Sequence, residues 1–208
     1  YDVINMEGTD WVIIGDVSGH GVPAGIIMMM VHTSIRAILL GGTSKTPAEL
    51  LGQVNAVITE NVKMVGDDRY MTVTLMAFHE NGDCTFTGLH QDILIYRSRA
   101  EEIEIVKSDG IWLGILEHTE GLITQKRIHM DRGDIMFLYT DGITEAWRKG
   151  SRRDRRDPQT DMYGIERLRD VFFENRDRGP AEIRDAVIAS LDNYACVDDV
   201  TMVIIRKE

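Results

Sequence analysis

Trp11-Val12-Ile13-Ile14-Gly15-Asp16-Val17-Ser18-Gly19-His20-Gly21-Val22-Pro23-Ala24-Gly25 is the stretch whose reading decides the fold. Its first four residues are an apolar run that reads as a buried strand, expected to stop at Gly15-Asp16. A glycine-rich turn follows. From Val22 to Leu40 the pattern changes: Ile27, Val31, Ile35 and Leu39 recur every four residues, with Ile26 and Met30 beside them. That periodicity predicts a helix with a wide buried face. Asp16 is thus a carboxylate at a strand end, on a loop whose glycines let backbone approach a ligand closely.

Upstream, residues 1–6 alternate apolar and polar, and Glu7-Gly8-Thr9-Asp10 reads as a hairpin turn. Downstream, Gly41-Gly42 ends the first helix. Thr46-Pro47-Ala48-Glu49 is a capping box with proline at the first helical position. It opens a second helix reaching about Lys63, with Leu50, Val54, Val57, Ile58 and Val62 inward. Short β-rich runs at residues 70–78, 84–88, 93–97 and 103–106 predict an antiparallel meander. Trp112-Leu113-Gly114-Ile115 is a compact apolar turn. Residues 124–130 and 135–140 read as strands, 151–158 as an exposed loop, 165–173 and 181–191 as helices, and 200–204 as a last strand. This order implies an α+β layered domain with helices outside packed sheets.

A chain of 208 residues fits one domain with a real core. Its 43% apolar and 27% charged content is ordinary for a globular protein. The net charge of −11 argues against nonspecific nucleic-acid binding and fits either a soluble acidic surface or carboxylates gathered for a cation. No run of 18 uncharged apolar residues occurs, so no membrane span is expected. The chain does not start with Met and carries no signal-peptide pattern, so it reads as a piece of something longer. Cys84 and Cys196 are enough for one pair, but without a secretion signal reduced thiols in a cytosolic protein are the expectation.

Three acidic sites share one context. Asp16 follows the opening strand, Asp141 follows Ile135-Met136-Phe137-Leu138-Tyr139-Thr140, and Asp198 and Asp199 precede the last strand. Burying clustered carboxylates unpaired costs several kcal/mol, and a divalent cation removes that cost. Ligands that are all oxygen select Mg²⁺ or Mn²⁺ over Zn²⁺. Any one Asp-Gly at a strand end is ordinarily just a turn; three, each beside an apolar strand, make chance a weaker account. Gly19-His20-Gly21-Val22-Pro23-Ala24 also matches a dinucleotide-type G-x-G-x-x-A. Against it, a second helix follows where a parallel strand is required, and Asp16 stands where an anion would approach. Ser18 and His20 lack the nucleophile-elbow context.

Gly15 to Gly25, Tyr139-Thr140-Asp141-Gly142-Ile143-Thr144-Glu145-Ala146 and Asp198-Asp199-Val200-Thr201 resemble motifs of the metal-dependent (type 2C) Ser/Thr protein phosphatases. The branch resembled is the bacterial one, with the sporulation stage-two phosphatase and the activators of stress-response sigma factors. Residues 88–97, 112–115 and 163–168 resemble its middle and late segments, in the family's order. The resemblance implies an αββα sandwich: two packed, largely antiparallel β-sheets flanked by helix pairs, with a two-metal site at one edge. Carried over, Asp16 bridges two Mn²⁺ or Mg²⁺ ions, the backbone carbonyl of Val17 is a further ligand, and Asp141 and Asp198 supply the remaining carboxylates. The implied activity is hydrolysis of phosphoserine or phosphothreonine by a metal-activated water, which two divalent ions about 3.5–4 Å apart can perform. The implied partners are a phosphorylated protein, such as a small anti-sigma-factor antagonist, and an upstream sensor or receiver domain in the same chain. A homodimer is compatible; no nucleic acid and no membrane contact are implied. The chain then reads as the C-terminal output module of a cytoplasmic signalling protein.

Three departures qualify the match. The family carries Gly-Asp two residues before the Tyr matching Tyr1, and that Asp is a ligand; this fragment starts after it and is expected to bind one metal poorly or be inactive. Ser18 stands where eukaryotic relatives have a His general acid, so no general acid is assigned. No phosphate-binding Arg matches, and Arg152, Arg153, Arg155 and Arg156 read as solvated loop. Bland readings go to four other sites: Met28, Met29 and Met30 as core filling or a repackable helix interface, His90 as a turn or core residue, Asp199 as a neighbour of Asp198, and Glu145 as a cap. Two rival functions remain: a non-catalytic binding module that keeps the fold, and a phosphohydrolase acting on small molecules.

Overall fold

The computed structural model describes residues 1–42, 46–66, 68–151 and 161–208. The four arginines at 152, 153, 155 and 156 lie outside the described residues. The strands are β1 (Asp2–Met6), β2 (Thr9–Val17), β3 (Met71–Phe78), β4 (Asp83–Thr87), β5 (Ile93–Arg97), β6 (Glu102–Val106), β7 (Lys126–His129), β8 (Ile135–Tyr139), β9 (Trp147–Arg148), β10 (Tyr194–Ala195) and β11 (Met202–Arg206). The helices are α1 (Val22–Leu40), α2 (Pro47–Val65), α3 (Asp141–Thr144), α4 (Gly164–Glu174) and α5 (Pro180–Ser190). Contacts divide the chain into two compact units, residues 1–90 with 108–130, and residues 91–107 with 131–208.

The first unit is a five-stranded sheet, β1-β2-β3-β4-β7, with α1 and α2 packed on one face. All its pairings are antiparallel. Trp11 and Ile13 of β2 and Val73 and Leu75 of β3 point at the helices, where Ile27, Val31, Ile35 and Leu39 of α1 meet them. Val12, Ile14 and Met76, on the opposite face, are buried too, which is why these strands read as continuous apolar runs. The Thr46 capping box forms as predicted: the Glu49 amide donates to the Thr46 hydroxyl at 3.2 Å, and the Thr46 amide to the Glu49 carboxylate at 3.1 Å.

The second unit is a four-stranded antiparallel sheet, β11-β8-β5-β6, with α4 and α5 on one face and a short β9–β10 ribbon. Leu94, Phe137 and Tyr139 meet Leu168, Phe172, Ile183 and Val187. Buried Asp134 anchors the turn into β8, accepting from Arg97 at 2.8 Å and from the Ser98 amide at 2.9 Å.

Several boundaries differ from the sequence reading. β2 runs to Val17, because Gly15, Asp16 and Val17 still pair with Val73, Thr72 and Met71. The meander is split: β4 pairs with β3 and β7, whereas β5 pairs with β6 and β8. The chain leaves the first sheet at Gly88 (φ 105°), where any side chain would run into the Val73 carbonyl. β11 starts at Met202, because Thr201 is held to Thr140 instead, its amide donating to the Thr140 hydroxyl at 3.0 Å. On α2, Val57 is exposed and Leu51 is wholly buried. The stripe is turned because the buried Asn55 reaches the Leu116 carbonyl at 2.7 Å. On α1, Ile26, Met28 and Met29 are exposed, so its buried face is narrower than predicted and the two methionines are not core filling. Both cysteines are free thiols. By length and composition alone α1 qualifies as a membrane-crossing helix. Its buried stripe packs on the sheet, however, and its Arg36 pairs with Asp2 of β1 at 2.9 Å, as in a core helix.

The turned stripe on α2 is open to measurement. Leu51→Ala should cost about 2–5 kcal/mol of unfolding free energy, and Val57→Ala no more than about 0.5 kcal/mol. Urea denaturation of both variants checks this, and equal losses would contradict the burial pattern.

Candidate metal centre

In the first unit Asp16 lies one residue before the end of β2, directly opposite Thr72 of β3. Opposed residues of an antiparallel pair project from the same face, so Asp16 and Thr72 share one. The Thr72 hydroxyl donates to the Asp16 carbonyl oxygen at 3.2 Å and also contacts His90 Nδ1 at 2.9 Å. Gly15 is required here, since a Cβ would collide with the Thr72 carbonyl. Beyond Val17, the Ser18 amide donates to the Tyr70 carbonyl at 2.8 Å, and the Tyr70 amide donates to the Ser18 hydroxyl at 3.0 Å. Peptides are planar and trans, so the Val17 carbonyl points opposite to the Ser18 N–H, away from β3. β1 pairs with β2 only as far as Ile13, which leaves the far side of Val17 without a described strand. Gly19 (φ 83°) and Gly21 (φ 84°) then turn the chain into α1.

In the second unit Asp141 follows β8 after one residue, Thr140, and opens α3. Its carbonyl accepts the Glu145 amide at 2.7 Å. Its Oδ1 is buried and has no hydrogen-bond partner among the described residues. Asp198 is exposed, and one of its carboxylate oxygens comes within 4.8 Å of one from Asp141. Asp198 Oδ1 also accepts the Asp199 amide at 2.8 Å. Asp199 serves through its backbone: its carbonyl accepts the Thr140 hydroxyl at 2.9 Å and lies so close to Gly142 that a Cβ there would clash. Glu145 does close the short helix through its backbone, but its carboxyl also feels Asp141 and Asp198.

The structure therefore brings Asp141 and Asp198 together in one unit and places Asp16 and Val17 in the other, with Asp16 held rigidly in a sheet. The local chemistry fits a hard divalent ion. The donors are all oxygen, one is buried and unpartnered, and two oxygens on one such ion at about 2.1 Å each stand about 3–4 Å apart. Three supports were not read from the sequence: Gly142, Thr140 and the Thr72–His90 contact. The Gly after Asp141 was visible but served only as a turn signal, and the other two depend on pairings distant in sequence.

Known proteins add an independent line. The family described as Stage II sporulation protein E (SpoIIE) matches residues 7–208. Phosphoserine phosphatase RsbU of Bacillus subtilis is 24% identical over 95% of this chain and 55% of its own length. Protein IcfG of Synechocystis sp. is 24% identical over all of this chain and 35% of its own. The chain thus spans about half, or less, of the relatives it matches. Among solved structures, the SiaA-PP2C domain of Pseudomonas aeruginosa superposes with TM-score 0.81 at 18% identity, covering 100% of this chain and 78% of that one. The PP2C domain and regulatory fragment of SpoIIE from B. subtilis gives 0.71 at 16%, covering 99% and 57%. These likenesses establish a PP2C fold.

The Asp141–Asp198 pair has a signature that needs no substrate. Burial first, and then the charges of Asp141 and Asp198, hold the Glu145 carboxyl above its ordinary pKa. The folded chain keeps this proton where the unfolded chain has released it. The stability it contributes is present below the ordinary glutamate pKa and fades as pH rises through the folded value. Replacing both aspartates with Asn should lower the Glu145 pKa toward the ordinary value without reaching it, because burial remains. Carboxyl ¹³C titration by NMR reads the shift, and an unmoved pKa would contradict the arrangement.

Proposed function

The chain belongs to the stage II sporulation protein E family, and on that premise we propose that residues 1–208 act as one metal-dependent protein serine/threonine phosphatase domain. Asp16, the Val17 carbonyl, Asp141 and Asp198 hold two ions, Mn²⁺ or Mg²⁺, and the substrate is a phosphoserine or phosphothreonine on a regulatory protein. The observation that carries this reading is the buried, unpartnered Asp141 Oδ1 beside Asp198, in a chain whose family match spans both units. A buried acceptor left unsatisfied costs about 1–3 kcal/mol, and a cation removes that cost.

Such ions, when bound, supply the Lewis acidity that makes water a nucleophile at neutral pH and offsets phosphoryl charge. The chain's own part is to aim the ligands. Asp16 is aimed by the β2–β3 ladder. Asp141 is aimed by the start of α3, and Asp198 by the Asp199–Thr140 bond. The register of β1 supports a further ligand upstream: continued past Tyr1 in a longer chain, it sets the residue two positions ahead of Tyr1 opposite Asp16.

A small anti-sigma-factor antagonist is the substrate class this reading favours. RsbU is named a phosphoserine phosphatase, and a Mycobacterium tuberculosis structure with RsbU and RsbW domains superposes at TM-score 0.78 and 22% identity. An upstream sensor or receiver domain in the same chain, a cytoplasmic setting and a homodimer belong to the same proposal.

The test is Mn²⁺-stimulated hydrolysis of p-nitrophenyl phosphate and of a phosphoprotein by the full-length protein. Asp16→Asn, Asp141→Asn and Asp198→Asn should each lower kcat/KM about 100-fold or more, since metal contributions amount to several kcal/mol. Undiminished activity in these variants would overturn the ligand assignment. Wild-type protein that binds neither ion at millimolar concentration would favour the non-catalytic module, and a kinetic preference for a free metabolite the small-molecule phosphohydrolase.

A further inference from the structure

We propose that His90 is a positioning residue for the metal-holding end of β2, acting through the Thr72 hydroxyl on the peptide that joins Asp16 to Val17. The inference rests on the metal reading above but concerns residues that take no part in ligation. Thr72 stands opposite Asp16 and shares its face of the sheet. Its single hydroxyl proton goes to the Asp16 carbonyl oxygen, at 3.2 Å. The same oxygen lies 2.9 Å from His90 Nδ1, and in the Nδ1–H tautomer that nitrogen is the donor in the contact. A directed chain results: His90 Nδ1–H to the Thr72 oxygen, and the Thr72 hydroxyl to the carbonyl of Asp16. Each bond in such a chain polarises the next.

His90 is itself held from both sides of its backbone. Its amide donates to the Ser108 hydroxyl at 3.2 Å, and that hydroxyl donates to the His90 carbonyl at 2.5 Å. Next to it, the Val73 amide donates to the Leu89 carbonyl at 3.1 Å. The backbone that carries the imidazole is therefore held in place. What it fixes is the Asp16–Val17 peptide on one flank of Val17; the Ser18–Tyr70 bond fixes the other. Between these two restraints the Val17 carbonyl and the Asp16 backbone have little freedom to rotate. Groups that orient ligands from behind in this way change metal affinity about 10–100-fold when removed.

Four variants of the full-length protein test this. Thr72→Val keeps shape and removes the hydroxyl; Thr72→Ser restores it. His90→Leu removes the ring donor; His90→Asn returns an amide donor near the Nδ1 position. Calorimetric titration with Mn²⁺ should show about tenfold weaker binding for Thr72→Val and His90→Leu, near wild-type binding for Thr72→Ser and His90→Asn, and a double Thr72→Val/His90→Leu variant no weaker than either single one. A second readout needs no metal: hydrogen exchange of the Ser18 amide should quicken about tenfold in Thr72→Val and recover in Thr72→Ser. Unchanged Mn²⁺ affinity and unchanged Ser18 exchange in Thr72→Val would overturn the proposal. So would losses in Thr72→Ser and His90→Asn as large as those in Thr72→Val and His90→Leu, which mark a packing role only. Wild-type protein that binds no Mn²⁺ would instead sink the metal reading, and the exchange comparison would still decide whether His90 and Thr72 position the strand end.

Discussion

The antiparallel ladder between β2 and β3 persists through Gly15, Asp16 and Val17, and the candidate site depends on it. β3 comes so close at this point that residue 15 has no room for a side chain. Because the ladder is unbroken, the turn is deferred to Ser18, where Gly19 and Gly21 take left-handed conformations and deliver the chain into α1. A carboxylate on a free loop would sample many rotamers and backbone states, each costing entropy to fix. Asp16 has its backbone state fixed by the fold. The same strand, β3, carries the constraint outward, through Met71 to Leu113 and through Val73 to Leu89.

The second unit reaches a similar end by another route. β8 is buried along its whole length and passes straight into α3, so Asp141 is set by a strand end and a helix start together. The segment bearing Asp198 is not a strand. It is tied to Thr140 by the hydroxyl's bond to the Asp199 carbonyl and by the Thr201 amide's bond to that hydroxyl. Gly142 permits that close approach. One threonine thus holds the two aspartates in register.

Much of this was legible because local chemistry and the tertiary structure agree. Thr46 and Glu49 announce α2, and Gly41-Gly42 the end of α1. The three aspartates were visible as acids flanking apolar runs. What stayed hidden depends on partners far away in sequence. Val57 and Leu51 are equally plausible inward residues until Asn55 finds the Leu116 carbonyl. The split of the meander depends on β4 choosing β7 and β5 choosing β8, and no local signal encodes that choice. His90 read as a turn or core residue because its partner, Thr72, lies 18 positions away across a pairing that the local sequence does not reveal.

The central proposal is that Asp16, Asp141 and Asp198 serve as ligands to divalent ions. Anomalous scattering from crystals of the full-length protein grown with Mn²⁺ tests it most directly. The account predicts anomalous peaks at about 2.1 Å from carboxylate oxygens of all three aspartates, one of them also at that distance from the Val17 carbonyl. Mn²⁺ bound elsewhere, or well-ordered aspartates at saturating Mn²⁺ with no peak among them, would contradict it.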